Sequence, residues 1–226
     1  LPLLHGQRLD RRGRDRRGPG VRPLKRPGKA APPTDPAIPG PRTIVGITGA
    51  TGIAFSLDFL ERLQGEKFVI FTQWGRHLLA HESGLSVADV EKKVTRVFPD
   101  TDLSAPTSSG STRFDALVIL PCSAGTLNKI AAGIADTLLT RTAMVALKER
   151  RKLVLCLRET PVSTQTLRNA AALSADGAII MPIMPPYYMH PLSAEAVLEG
   201  FSLRLLQVLG QSREDLWKAE YMEPEP

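Results

Sequence analysis

The chain holds 226 residues, 42% of them hydrophobic, enough for one packed domain. Its net charge of +6 is uneven: residues 1–42 carry eleven Lys and Arg against three Asp and Glu, leaving 18 basic and 20 acidic residues beyond them, so the basic excess gives no ground for a nucleic-acid-binding domain. The two cysteines, Cys122 and Cys156, lie outside any Cys-x-x-Cys or Cys/His cluster, so no metal site is expected, and the longest apolar runs fall short of the roughly 20 residues a membrane span needs.

Residues 1–41 read as a disordered basic tail rich in Pro, Arg and Gly. Runs such as Arg11-Arg12-Gly13-Arg14 and Ala31-Pro32-Pro33-Thr34-Asp35-Pro36 offer no apolar period. An Arg-rich, acid-poor start is also the composition of a mitochondrial presequence. Gly and Pro interrupt the amphipathic helix such a signal needs, and a non-functional extension is the preferred reading. Both cysteines end apolar runs and read as buried free thiols, which suits a reducing interior. The cytoplasm is therefore expected, or the mitochondrion if the tail is a presequence.

Residues 42–226 read as one α/β domain. Thr43–Ile47 is a buried strand, Gly49-Ala50-Thr51-Gly52 a turn, and Ile53–Leu63 an amphipathic helix. A second strand is expected at Lys67–Phe71 and a helix at Trp74–Glu82. Asp115–Leu120 is a third strand, followed by a Pro-Cys-Ser turn, a helix near Leu127–Ala132 and another at Leu138–Arg150. Leu153–Leu157 is a fourth strand, Leu167–Ser174 a helix, Ala178–Met181 a fifth strand, and Ser193–Leu209 a long helix with Ser193 as N-cap. Continuous apolar strands separated by helices predict a single doubly wound parallel sheet, Rossmann-like or flavodoxin-like, with helices on both faces.

Such sheets bind ligands beyond the carboxyl ends of their strands. Gly49-Ala50-Thr51-Gly52 is either a tight strand-to-helix turn or a phosphate cradle, since glycines admit close approach and a helix N-terminus supplies free N–H groups. It is neither Gly-x-Gly-x-x-Gly nor a Walker A loop. Ser123 and Thr126 start a helix, where a hydroxyl often serves only as a cap. Together with Thr72 after the second strand they make three hydroxyl-bearing turns on one edge, a pattern that favours a phosphate and ribityl site over three independent caps. Arg141 and Lys148, seven residues apart, share a helical face and could hold a phosphate ester, although cations near a helix C-terminus commonly just complement its dipole. Arg158-Glu159-Thr160-Pro161 is a surface ion pair or an acid/base beside an anion-binding Arg. Pro182–Tyr188 is a rigid turn or an apolar lid.

In order and spacing these segments, with Thr107-Ser108-Ser109-Gly110-Ser111, Leu139-Thr140-Arg141 and Leu147-Lys148-Glu149-Arg150-Arg151, resemble the UbiX-type flavin prenyltransferases, a family that includes proteins formerly labelled phenylacrylic or aromatic acid decarboxylases. The resemblance runs from about residue 42 to residue 217. It implies reduced FMN as acceptor and dimethylallyl phosphate as donor, with prenylated FMN made for a UbiD-type decarboxylase, and a homo-oligomer, a dodecamer in the family. It further implies FMN contacts at Gly49, Ala50, Thr51, Thr72, Ser123, Ala124, Gly125, Thr126 and Arg158. Prenyl phosphate contacts are implied at Arg141, Lys148, Tyr188 and Arg204, and catalytic roles for Glu159, Lys148, Glu82 and Thr51. The chain departs from the family pattern in Thr51 for a common Ser, Gln73 for a frequent Lys, and Pro185-Pro186-Tyr187-Tyr188 where Ala-Phe-Tyr is commoner.

Two rivals share the fold. A flavin-dependent cysteine decarboxylase needs a catalytic His after the second strand, where His77 and His81 lie, and a Pro-x-Met-Asn motif. That motif is absent, Asn128 and Asn169 being the two asparagines. A non-catalytic flavin-binding subunit would have no use for Arg141, Lys148, Glu159 and Tyr188.

Overall fold

The computed structural model describes residues 40–189 and 191–211. Except for residues 40 and 41, the expected tail lies outside them, as do His190 and residues 212–226. Six strands form one all-parallel sheet: β1 (Arg42–Ile47), β2 (Glu66–Phe71), β3 (Arg96–Pro99), β4 (Ala116–Cys122), β5 (Lys152–Leu157) and β6 (Ile179–Ile180). Their order is β3-β2-β1-β4-β5-β6, the Rossmann order, with the topological switch between β1 and β4. The seven α-helices among the described residues are α1 (Ile53–Arg62), α2 (Gln73–Ser83), α3 (Val87–Glu91), α4 (Ala124–Ala131), α5 (Leu138–Lys148), α6 (Thr164–Ala175) and α7 (Ala194–Leu209).

Side chains alternate across each strand and build two cores. Ile44, Ile70, Leu117, Ile119, Leu153 and Leu155 face one layer with α4, α5 and α6. Val45, Ile47, Val69, Phe71, Val118, Leu120 and Val154 face the other with α1, α2 and α7. The central strands are buried on both faces, which is why they read as unbroken apolar runs. Leu117 on β4 is fully buried, and truncation to Ala would cost about 2–5 kcal/mol through lost transfer energy and an unfilled cavity.

The expected five strands become six. β3 was missed: it is a four-residue edge strand, Arg-Val-Phe-Pro, with a single buried side chain, Phe98. Charge and Pro suit an edge but hide its periodicity. The short α3 before it was missed as well, although Ser86 and Asp89 form a capping box there. Two expected helices start about one turn early, at Ala124 and Thr164, because Ser123 and Ser163 cap them. The expected strand Ala178–Met181 shrinks to Ile179–Ile180.

Candidate active site

The buried hydroxyl of Thr48 joins the turns that follow β1 and β4. Its Oγ1 donates to the Pro121 carbonyl at 2.7 Å and accepts from the Ser123 N–H at 2.9 Å. The Gly49-Ala50-Thr51-Gly52 loop and the Ser123 turn are thereby held side by side at the switch point. Arg158, at the end of β5, extends this row by donating its backbone N–H to the Cys122 carbonyl at 3.0 Å.

A cleft of about 470 Å³ opens at this edge, lined among others by Gly49, Thr72, Ser123, Gly125 and Thr126 from the expected set. Three helix N-termini face it. Thr72 Oγ1 accepts from Gly75 N at 3.0 Å, Ser123 Oγ from Thr126 N at 3.2 Å, and Thr137 Oγ1 from Thr140 N at 3.4 Å. Two of the three hydroxyls expected to hold a ligand, Thr72 and Ser123, are therefore helix caps as well, and the third, Thr126 Oγ1, lies 3.0 Å from Ser123 Oγ. At α2 and α4 the two uses are compatible, since the capping oxygen takes one amide and leaves other N–H groups of the first turn for a ligand, whereas the first-turn amides of α5 are all taken within the chain.

The rest of the lining includes Asp100, Thr101, Lys129, Thr137 and Leu139, which sequence reasoning did not assign. Asp100 directly follows β3, so missing that strand hid it. Its carboxylate accepts from Leu139 N at 2.8 Å and its carbonyl from Leu138 N at 2.8 Å, which clamps the start of α5. Burial holds the Asp100 carboxyl above its ordinary range, and nearby Asp136 pushes the same way. Lys129 pairs with Asp136 at 2.8 Å on the cleft rim.

Ala50, Thr51, Ala124 and Arg158 lie in the same turns without lining the cleft. Ala50 is buried, Thr51 exposed, and Arg158 half-buried. The Nε of Arg158 is buried and has no hydrogen-bond partner among the described residues. Leaving such a donor unmade costs about 1–3 kcal/mol, so it marks a place for an acceptor. A polar, anionic molecule with hydroxyls, of the size and chemistry of FMN, fits this combination of an unmet Arg158 Nε, the N-termini of α2 and α4 and a Thr/Ser rim.

Glu82 holds the loop from the other side. Its Oε2 accepts from Gly52 N and Ile53 N, both at 2.9 Å, so α2 is tied across the start of α1. Glu159 is exposed, accepts from the Thr160 N–H at 3.2 Å, and makes no ion pair with Arg158. Burial pushes the Cys122 thiol up to about 12 and the Cys156 thiol well above its ordinary value, which leaves neither as a thiolate nucleophile. No group of three or more His, Cys, Asp or Glu among the described residues could hold a metal ion, and none of their helices is long and apolar enough to cross a membrane.

The four expected prenyl phosphate residues are not brought together within one chain. Arg141 and Lys148 lie on α5. Arg141 donates to the Ser108 carbonyl at 3.3 Å, while Lys148 pairs with Glu149 at 2.5 Å in the last turn, about 15 Å along the axis from the cleft end of the helix. Tyr188, 42% exposed, sits in a short 3-10 turn, and Arg204 on α7 is exposed and bonds Gln207 at 3.0 Å. α5 and α7 belong to opposite layers of the sheet. Pro186 and Met189 pack at Gly200 of α7, so the apolar loop is docked on that helix. Asn128 and Asn169 bond each other between α4 and α6 at 2.9 Å, a structural use.

Comparison with known proteins agrees with this geometry. Residues 34–198 match the Flavoprotein family. The chain is 41% identical over 170 residues to the flavin prenyltransferase UbiX of Thermoplasma acidophilum, covering 75% of this chain and 94% of that protein. It is similar to AnUbiX, solved in complex with FMN and dimethylallyl pyrophosphate, with a TM-score of 0.74 and 35% identity over 79% of this chain and 99% of that one. It is similar, too, to a dodecameric FMN-dependent UbiX-like decarboxylase from Escherichia coli O157:H7, with a TM-score of 0.72 and 38% identity over 75% and 94% of the two chains. The chain belongs to the UbiX-type flavin prenyltransferase family.

Proposed function

We propose that the protein transfers a dimethylallyl group from dimethylallyl phosphate to reduced FMN, yielding prenylated FMN and phosphate for use by a UbiD-type decarboxylase. The observation that carries this reading is the cleft at the β1/β4 switch, where the N-termini of α2 and α4 converge and the adjoining turn holds the buried, unpaired Nε of Arg158. Helix N-termini and Arg favour a phosphate, and the hydroxyls of Thr72, Ser123 and Thr126 suit a ribityl chain. Gly49, Ala50 and Thr51 would border the ring, with Ala124 and Gly125 supplying backbone. When bound and reduced, the flavin supplies nucleophilic N5 and C6 positions.

The chain's own residues then have three tasks. Arg141 and Lys148 balance the charge that grows on the phosphate as the allylic C–O bond breaks and the electron pair leaves with oxygen. Glu159 exchanges a proton at that oxygen, and Thr51 donates a hydroxyl near the reacting edge. Tyr188 and Arg204 orient the phosphate. Arg141 and Lys148 stand on one layer and Tyr188 and Arg204 on the other, a separation that supports a site completed between copies, with Lys148 and Arg204 coming from different subunits of a homo-oligomer. Residues 1–41 remain outside the catalytic domain, and the site of action is the cytoplasm or, if the tail is a presequence, the mitochondrion.

The test is anaerobic incubation of the full chain with reduced FMN and dimethylallyl phosphate, followed by mass analysis of the extracted flavin. A flavin heavier by one C5H8 unit is expected. Recovery of unaltered FMN, with carbon dioxide released from a C-terminal cysteine peptide, would favour the decarboxylase reading instead.

A further inference from the structure

Trp74 is the largest side chain on the cleft wall, and it is 64% exposed. An indole so placed leaves a wide apolar surface in water unless something covers it. Two close approaches fix its position. A Cβ at Gly75 would collide with the Ile47 carbonyl, so only Gly lets the first turn of α2 press against the end of β1. A Cβ at Gly49 would lie 2.5 Å from Trp74 Cβ, so the side chain leaves its backbone directly over the glycine loop. Thr72 caps the same turn and bonds Gly75 N at 3.0 Å, which makes the mount rigid.

The ring itself is braced from behind. His77 meets Trp74 edge to face, with centroids 5.6 Å apart at 85°, and His81 stacks on His77 at 6.2 Å and 4°. This row follows the outer face of α2 and ends at the cleft. A row of this kind restricts the indole to few rotamers without burying it.

We propose that Trp74 is a stacking wall for the flavin, its indole packing against the isoalloxazine ring where that ring emerges from the Gly49 loop. An isoalloxazine is a planar, electron-poor heteroaromatic, the partner that an exposed, electron-rich indole stacks on most favourably. The cleft supplies charge and hydroxyls on its other walls, at Lys129, Asp100, Ser123 and Thr126, and among the described residues Trp74 is its one aromatic residue. The same wall selects against non-aromatic phosphates that could otherwise occupy the helix N-termini. This inference rests on FMN occupying the cleft.

The experiment is a titration of oxidised FMN into the full chain, parent and variants, with binding followed by equilibrium dialysis and the emission of the bound flavin recorded separately. Indole in contact with an excited flavin quenches it by electron transfer, so FMN bound to the parent is expected to be dark. Trp74→Leu is expected to bind FMN roughly 5- to 150-fold more weakly, the range found for heteroaromatic rings stacked on aromatic side chains, and its bound flavin to emit severalfold more. Trp74→Phe keeps a stacking surface but is a poor electron donor. It is expected to hold FMN near the parent affinity while the emission returns. If both variants bind FMN as the parent does with unchanged emission, the stacking wall is wrong and the flavin reading stands. If the parent fails to bind FMN, both fall.

Discussion

The carboxylate of Glu82 caps the helix that follows the glycine loop, accepting from the Gly52 and Ile53 amides at 2.9 Å each. Gly52 itself has a left-handed φ of 106° and offers no side-chain cap, so α1 borrows an acceptor from α2. An anion at a helix N-terminus is worth about 0.3–1 kcal/mol, and loss of a capping acceptor about 0.5–2 kcal/mol. Glu82→Ala is therefore expected to lose about 1 kcal/mol of stability in urea unfolding and to weaken FMN binding through a loosened loop. Glu82→Gln keeps an oxygen for the amides and should recover most of both. Equal damage from the two substitutions would mean that the charge, not the cap, is what the loop needs.

The clamp at Asp100 predicts a pH dependence in the ligand-free protein. Its folded pKa is raised from the ordinary 3.8, chiefly by burial, with Asp136 adding to the shift and the Leu139 amide, Thr137 and Lys129 opposing it. The folded state thus keeps the proton over a window that opens near 3.8 and extends upward, and stability falls as pH rises through that window. Asp100→Asn retains an oxygen for the Leu139 amide and cannot titrate. Relative to the parent, the variant is expected to gain stability between pH 4 and pH 7 in urea unfolding. A difference that stays constant with pH would show that Asp100 titrates alike in the folded and unfolded states.

Deleting residues 1–39 is expected to leave folding and FMN affinity unchanged. Both cores are built from residues 44–209, and β1 starts only at Arg42. A fall of several degrees in melting temperature would show that the tail covers apolar surface.

Much of this fold was legible because its strands obey simple rules. Val118, Val154 and their neighbours are buried on both faces, so their runs could not be read as anything amphipathic. β3 obeys no such rule: it stands at an edge, carries Arg96 and Pro99, and buries only Phe98. Losing β3 concealed Asp100 and Thr101, and with them one wall of the cleft. Thr48 was passed over for a different reason. It looks like the last residue of a strand, and its value lies in a contact with Pro121 and Ser123 some 75 positions away, which no local pattern reveals. The placement of Lys148 could have been deduced. α5 leaves the carboxyl edge at Asp100 and must return to the opposite edge before β5 begins at Lys152, so its last turn cannot reach its own cleft.

That geometry gives a complementation test. Lys148→Ala and Arg204→Ala should each fold and each lose most prenyl transfer. If the site takes these residues from different subunits, co-expressed variants should regain activity in mixed oligomers. Random mixing restores roughly a quarter of the sites, because each must draw its Lys from one parent and its Arg from the other. Activity no higher than that of the separate variants would place both side chains in one subunit's site or in none.

Glu159 stands at the end of β5 with its carboxylate exposed and, among the described residues, bonded to the Thr160 amide alone, one residue beyond the buried Arg158 Nε. Its carboxylate is not paired with Arg158. Its position beside Arg158, proposed to bind the flavin, suits a proton exchange with the departing oxygen of the donor phosphate. A surface ion pair would be worth about 0–1 kcal/mol and leave turnover untouched. A general acid/base contributes on the order of a hundredfold or more. Glu159→Gln is expected to fold, to bind FMN with parental affinity, and to form prenylated flavin at least about a hundredfold more slowly. Under single-turnover conditions the loss should appear in the rate at saturating donor and not in the donor concentration needed, because the amide keeps the shape and hydrogen-bonding reach of the carboxylate. A Glu159→Gln protein working at the parental rate would remove this residue from the mechanism and leave phosphate departure to Arg141 and Lys148.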